Sequence, residues 1–223
     1  MKTSMHKQRG LSLIELMVGM IVAMVVIAGA FAAYMGMTIS SRDSIRADRL
    51  NQDMQTVMDL MVADLRRAGY WNSEATGAPA TNPFSTIDTA TAGCILYSYD
   101  ADGSGAISDN ERFGFKRAGN AIWSRTSGTS LTDCSNGTWG VLTDDVVVNV
   151  STLTFAAENR CVNGRTKVEN ADCAALTTAS GDNLSERRSI RITLRANPVG
   201  DTASTKVLAA VTQVRNDRRI VIP

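Results

Sequence analysis

Residues 7–31 read KQRGLSLIELMVGMIVAMVVIAGAF, and this stretch decides what the rest of the chain must be. Lys2, Lys7 and Arg9 precede Gly10, and residues 16–37 then run for 22 positions without a charge. At about 1.5 Å per residue such a run makes about 33 Å of helix, enough for the roughly 30 Å hydrocarbon core of a bilayer. Glu15 stands at the edge of this run. A carboxylate carried into hydrocarbon costs about 2.5–3.5 kcal/mol at the centre of a membrane helix, so an acid in this place calls for a partner.

Beyond Met37 the composition turns polar without a Gly/Pro break. Leu50, Met54, Val57, Met61 and Leu65 recur at spacings of four, three, four and four, one apolar stripe of an amphipathic helix. Asp43, Arg46, Asp48, Arg49, Asp53, Asp59, Asp64 and Arg66 fall on the other faces. The pattern ends at Ala68-Gly69, and Gly69 is a natural helix stop. The spacing therefore predicts one helix over residues 11–68, about 87 Å long by the same rise per residue. Its first half needs membrane or other helices around it, and its second half needs a sheet to cover the stripe.

Three readings fit the start of the chain. A cleaved secretory signal would use Ala28-Gly29-Ala30 and release Phe31 as the first mature residue, but Glu15 sits at the head of the apolar region and the helical pattern continues past Phe31. A plain membrane anchor leaves Glu15 unexplained. The third reading accounts for Gly10 and Glu15 together. The run Gly10-Leu11-Ser12-Leu13-Ile14-Glu15, behind a basic leader and ahead of about twenty apolar residues, resembles the class III signal of type IV pilins and type II secretion pseudopilins. The exit Asp64-Leu65-Arg66-Arg67-Ala68-Gly69-Tyr70-Trp71 is similar to that of PilW-type minor pilins.

The resemblance implies that prepilin peptidase cuts after Gly10 and methylates the new N-terminus at Leu11, where the family more commonly has phenylalanine. It implies that Glu15 meets the α-amino group of a neighbouring subunit during assembly. It also implies an α+β, lollipop-like fold, with a long N-terminal helix packed on an antiparallel sheet. The expected divisions are a leader over 1–10, the long helix over 11–69 with 16–37 in the membrane or filament core, an αβ-loop over 70–93, and a β-rich domain over 94–223. Ala32 stands where many major pilins carry a helix-bending proline, so a straighter helix is expected there.

Residues 72–93 are rich in Ala, Thr, Ser, Gly and Pro and read as a loop. Strand-like runs follow at 95–99, 112–116, 121–125, 146–150, 153–156, 189–196 and 206–214. Residues 189–196 (SIRITLRA) alternate cleanly, as a half-buried antiparallel strand does. Residues 157–188 read as a polar insertion. Cys94, Cys134, Cys161 and Cys173 contain no CxxC pair, and an even count behind an export-like start points to two disulfides in an oxidising compartment. Of the three possible pairings, the favoured one joins Cys161 to Cys173 in a local loop and Cys94 to Cys134 across the sheet.

One chemical motif stands out between two of these runs. Residues 100–111 read DADGSGAISDNE, the pattern of a twelve-residue EF-hand loop. Asp100, Asp102 and Ser104 supply side-chain oxygens at positions 1, 3 and 5, and Gly105 permits the turn at 6. Ala106 offers its carbonyl at 7, Ser108 acts through water at 9, and Glu111 gives two oxygens at 12. Seven flexible oxygens suit calcium rather than magnesium. With three carboxylates the expected affinity is modest, on the order of 10⁻⁴–10⁻³ M. The flanks YSYD and ERFGF read as strands, so the loop is expected in a hairpin rather than between helices. Trp71, Trp123 and Trp139 are expected in the core or in surface patches rather than as a sugar platform.

The totals narrow the function. Formal net charge is +1 over 223 residues, and without residues 1–10 it becomes −2, with 20 basic side chains against 22 acidic ones. No basic surplus exists to neutralise phosphates, so nucleic acid is not expected as the main partner. The single histidine is His6, in the leader. A mature chain starting at Leu11 would have no imidazole for a Ser–His–Asp triad or a His-ligated zinc. The expected function is non-enzymatic: a minor pilin that primes pilus assembly. Its expected partners are other minor pilins and the major pilin, prepilin peptidase, the inner-membrane assembly platform and membrane lipid. A J-type pseudopilin of a type II secretion system and an exported calcium-dependent binding domain are the alternatives.

Overall fold

The computed structural model describes residues 12–222; Gly10 and Leu11, the expected cleavage and methylation site, lie outside the described residues. Among the described residues one α-helix, α1, runs Leu13–Leu65 and is followed by strands β1 (Ile87–Asp88), β2 (Cys94–Ser98), β3 (Arg112–Ala118), β4 (Ala121–Ser127), β5 (Thr138–Val141), β6 (Val148–Ala157), β7 (Arg160–Asn163), β8 (Glu169–Asn170), β9 (Asn183–Arg187), β10 (Ser189–Pro198), β11 (Lys206–Gln213) and β12 (Arg218–Val221). The class is α+β, as expected. The chain divides into two units, residues 1–46 and 47–223.

In the first unit every residue from Leu13 to Met37 is exposed. Ile14, Ile21, Ile27 and Phe31 are each 61–70% accessible, so this apolar surface has no cover among the described residues. Among the described residues α1 is the one helix long and apolar enough to cross a membrane.

The second unit has its own core. Leu50, Met54, Val57, Met61 and Leu65 are all buried, and Met58 joins them, so the stripe is wider than the spacing alone suggested. These residues pack with Ile95, Tyr97, Phe115 and Ile122 of one sheet and with Val148, Val150, Leu153, Ile190, Ile192 and Leu194 of another. The first sheet has the order β1-β2-β3-β4-β5, the second β11-β10-β6, and a third β12-β9-β7-β8; neighbouring strands are antiparallel. Apolar side chains repeating at two meet an apolar helical stripe repeating at three and four, and burial of both is the main driving force.

The end of α1 keeps the glycine stop that the sequence implies, but the α-helix ends three residues before the predicted position 68. Arg67 and Ala68 donate to the carbonyls of Asp64 and Leu65, three residues back, which tightens the last turn. Gly69 then takes φ +75°, a conformation that favours glycine, and its N–H donates to Ser98 O at 2.8 Å. The helix thus closes at Leu65, and residues 66–69 form its turn-like exit rather than further α-helix.

Two strand-level expectations change. The run at 153–156 and residues 148–150 of the run at 146–150 are one strand, β6, because β10 pairs with both and the extra residue, Ser151, is taken up in a register shift at Arg195/Ala196. Residues 157–188 are not simply a polar insertion. They carry β7, β8 and β9, and Leu184 of β9 pairs with Ile220 of β12, giving a small second core around Cys161, Leu176 and Leu184.

Asp64 ties the helix to the first sheet. It accepts hydrogen bonds from the hydroxyls of Tyr97 and, at 3.2 Å, Tyr99. Burial, with the charge of Asp64 adding to it, pushes the Tyr97 phenol well above its usual 10 and the Tyr99 phenol up to about 12. A raised tyrosine pKa in the folded state contributes stability that is fully present below pH 10 and lost as pH rises toward the folded value. Stability is therefore expected to be insensitive to these groups through pH 10 and to fall between pH 10 and about 12. Urea unfolding across that window checks it, with the Tyr97→Phe/Tyr99→Phe double variant as reference; a fall of equal size in the variant would remove this cause.

Candidate functional site

Two places carry the chemistry singled out above. The first is the start of α1. Glu15 lies in the first helical turn, and its backbone N–H donates to Ser12 O at 3.0 Å. An acidic side chain in the first turn faces the positive end of the helix dipole. Its side chain is exposed, at the head of the exposed apolar face.

The second place is the acidic loop. β2 and β3 are antiparallel neighbours, pairing Ser98 with Arg112, and they bring residues 100 and 111 to the same end of the sheet. Asp100 and Glu111 are buried, while Asp102 is exposed. Each of the three carboxylates places an oxygen within 4.8 Å of the others. Asp100 Oδ2 accepts from the N–H groups of Asn72 at 3.0 Å and Gly105 at 2.9 Å. Glu111 Oε1 accepts from Ala101 N at 2.8 Å, and its Oε2 from Ser108 N at 2.8 Å and Ser108 Oγ at 2.7 Å. The side-chain and backbone donors of Ser104 hold the Asp102 carboxyl below its usual range.

Gly105 is needed twice over. Its φ is +75°, and an added Cβ would come within 2.8 Å of both Ala78 Cβ and Asn72 O. The loop therefore lies flat against residues 72–78. Trp71 Nε1 donates to Gly105 O at 3.0 Å, and Asn72 Nδ2 to Gly103 O at 2.9 Å. Ser104 Oγ donates to Ala106 O at 3.2 Å, and Ser108 caps a short 3-10 turn over Asp109–Glu111.

Cys94 is joined to Cys134 and Cys161 to Cys173. The first bridge ties the start of β2 to the loop between β4 and β5. Buried Arg125 holds that same loop, donating to Ser127 O, Ser130 O and Asn136 Oδ1. Lys116 Nζ lies 4.0 Å from the Trp139 ring centroid, and Arg125 Cζ lies 6.0 Å from it, so two cations face this ring.

The prokaryotic N-terminal methylation motif matches residues 5–31, and the family described as prepilin peptidase-dependent protein B matches residues 43–215. The chain belongs to the prepilin peptidase-dependent protein B family. No curated protein and no solved structure matches it. It is thus a pilin-like protein that depends on prepilin peptidase, with an apolar helix suited to membrane anchoring.

Membership changes how both places are understood in this prepilin peptidase-dependent protein. The methylation motif spans Gly10, Leu11 and Glu15 together, so Glu15 lies inside a recognised motif rather than standing as a solitary polar defect. The acidic loop falls within residues 43–215 and so within the family's globular part. Spacing within the loop pointed to Asp100, Asp102 and Glu111. It gave no hint of Trp71 and Asn72, which reach the loop from about 30 residues away in sequence. The turn-rich composition of residues 72–93 marked that segment only as loop.

Proposed function

We propose that this chain is a minor pilin of a type IV pilus that, with other minor pilins, primes filament assembly at the inner membrane. Prepilin peptidase removes residues 1–10 and methylates Leu11. Residues 16–37 hold the subunit in the inner membrane, with the second unit on the periplasmic side, until the assembly platform transfers it to the filament. The subunit works by contact and carries no catalysis.

The observation that supports this most is the exposed apolar face of α1 over residues 13–37, headed by a single carboxylate in its first turn. Such a face is stable in lipid or among identical helices, and it can move from one to the other with little change in its apolar surroundings. A buried pair between Glu15 and a neighbour's α-amino group would then set the register of packing, the best attested role of such pairs.

Mass spectrometry of the protein from sheared filaments tests this. The expected N-terminus is N-methyl-leucine at Leu11; a chain beginning at Phe31 would overturn the assignment. Deletion of the gene is expected to abolish pilus-dependent twitching and leave enzyme secretion intact. Loss of secretion with normal twitching would make the chain a J-type pseudopilin instead.

A further inference from the structure

The acidic loop presents an electrostatic problem that the protein's own side chains do not solve. Asp100 and Glu111 are only 3% and 0% exposed, and with Asp102 they hold three carboxylates together. Among the described residues no lysine or arginine forms an ion pair with any of the three. Like charges gathered out of water repel strongly, and each is costly without a counter-charge. Backbone N–H groups satisfy Asp100 Oδ2 and both oxygens of Glu111 in part. Asp100 Oδ1 is buried with no hydrogen-bond partner at all. A buried carboxylate oxygen left in this way loses its hydration and gains nothing in return.

We propose that residues 100–111 bind one calcium ion, with the unpartnered Asp100 Oδ1 as a central ligand. The Asp102 and Glu111 carboxylates would complete the charge, and Ser104 Oγ and the Ala106 carbonyl would add neutral oxygens. Ser108 Oγ donates to Glu111 and so orients that carboxylate, while its lone pairs stay free to accept from a bridging water at position 9. Each Glu111 oxygen has a second lone-pair direction beyond its protein donors, so those hydrogen bonds and ligation are compatible. A hard divalent cation supplies the missing positive charge, and an all-oxygen set of this size and flexibility favours calcium over magnesium, which keeps its waters and a strict octahedron.

The consequence reaches beyond the loop. The same Asp100 carboxylate accepts from Asn72 N and Gly105 N, and Gly105 lies against residues 72–78. Fixing Asp100 fixes the first part of the αβ-loop to the β2–β3 hairpin. Calcium would thus order a surface segment that hydrogen bonds and small side chains alone hold down. This proposal does not rest on the pilin assignment and can fail or stand without it.

The test uses the full chain in detergent micelles, stripped with EDTA. Titration calorimetry with calcium chloride is expected to show one site with Kd on the order of 10⁻⁴–10⁻³ M. Calcium at about tenfold over Kd is expected to raise the melting temperature by about 3–6 °C. Asp102 is exposed, so Asp102→Asn is expected to keep the fold and the EDTA-state melting temperature while binding calcium at least about tenfold more weakly, as loss of one charged ligand among three implies. Asp100→Asn is expected to abolish the calcium-dependent shift. No calcium heat and equal melting temperatures in calcium and EDTA would overturn the proposal. So would an unchanged affinity in Asp102→Asn, and magnesium binding as tightly as calcium would overturn the assignment of the ion.

Discussion

Replacing Cys94 and Cys134 together by alanine is expected to lower the unfolding free energy by about 4 kcal/mol and the melting temperature by about 8–16 °C. The bridge joins residues 40 apart, so its removal frees a long loop in the unfolded chain, and the chain-entropy cost grows with the logarithm of that length. The folded state changes less. Arg125 still binds the carbonyls of Ser127 and Ser130 and the side chain of Asn136, and Lys116 Nζ still donates to Cys134 O at 2.9 Å. The loop between β4 and β5 therefore has its native hydrogen bonds without the bridge, and the effect falls mainly on the unfolded ensemble. The matching variant at Cys161 and Cys173, only 12 residues apart, is expected to cost about 3 kcal/mol. Guanidinium unfolding of both variants measures this. A loss below about 1 kcal/mol for Cys94/Cys134 would mean that the β4–β5 loop is already ordered in the unfolded chain, and the entropic account would be wrong.

What the sequence revealed and concealed follows from the range of the interactions involved. The stripe of Leu50, Met54, Val57, Met61 and Leu65 was legible because helical periodicity is local and all five face one core. Met58, four residues after Met54 and three before Met61, obeys the same periodicity, but the narrow stripe drawn from the sequence left it out. It is buried because two sheets contribute to that core and widen the covered face. β10 was legible for the same kind of reason: Ile190, Ile192 and Leu194 alternate with Arg191, Thr193 and Arg195.

β6 was split at Ser151-Thr152 because two polar residues interrupt its apolar run. Hydrogen bonding to β10 carries the strand across them, and no local signal reports that. β5 (Thr138–Val141) and β12 (Arg218–Val221) were missed altogether, being four residues long each and sheet-edge strands. β12 pairs along its whole length with β9, with Ile220 opposite Leu184, 36 residues away in sequence. The acidic loop shows both cases at once. Its donor spacing was visible in twelve consecutive residues, whereas the Trp71 and Asn72 contacts that hold it down were not.

Glu15→Ala is expected to be cleaved and retained in the membrane normally, yet to enter filaments about a hundredfold less than the natural subunit. Alanine makes the helix more apolar, so insertion is favoured rather than impaired. Gly10, on which processing depends in the resemblance, is untouched. The loss arises at assembly. In the proposed packing the Glu15 carboxylate answers the α-amino group of a neighbour, and removing one member leaves the other charged and unpaired among apolar helices. Breaking a buried pair in this way costs about 3–5 kcal/mol, and 3 kcal/mol alone is more than a hundredfold in equilibrium occupancy. Glu15→Gln separates charge from shape: it keeps the length and a hydrogen-bond acceptor, and it is expected to fall between the natural protein and alanine. The ratio of this subunit in sheared filaments to that in membranes, read by quantitative immunoblot with mass spectrometry of the N-terminus, gives the answer. Natural incorporation of a correctly processed Glu15→Ala protein would show that the exposed apolar face of residues 13–37 recruits the subunit by packing alone. The carboxylate would then serve only the first turn of its own helix.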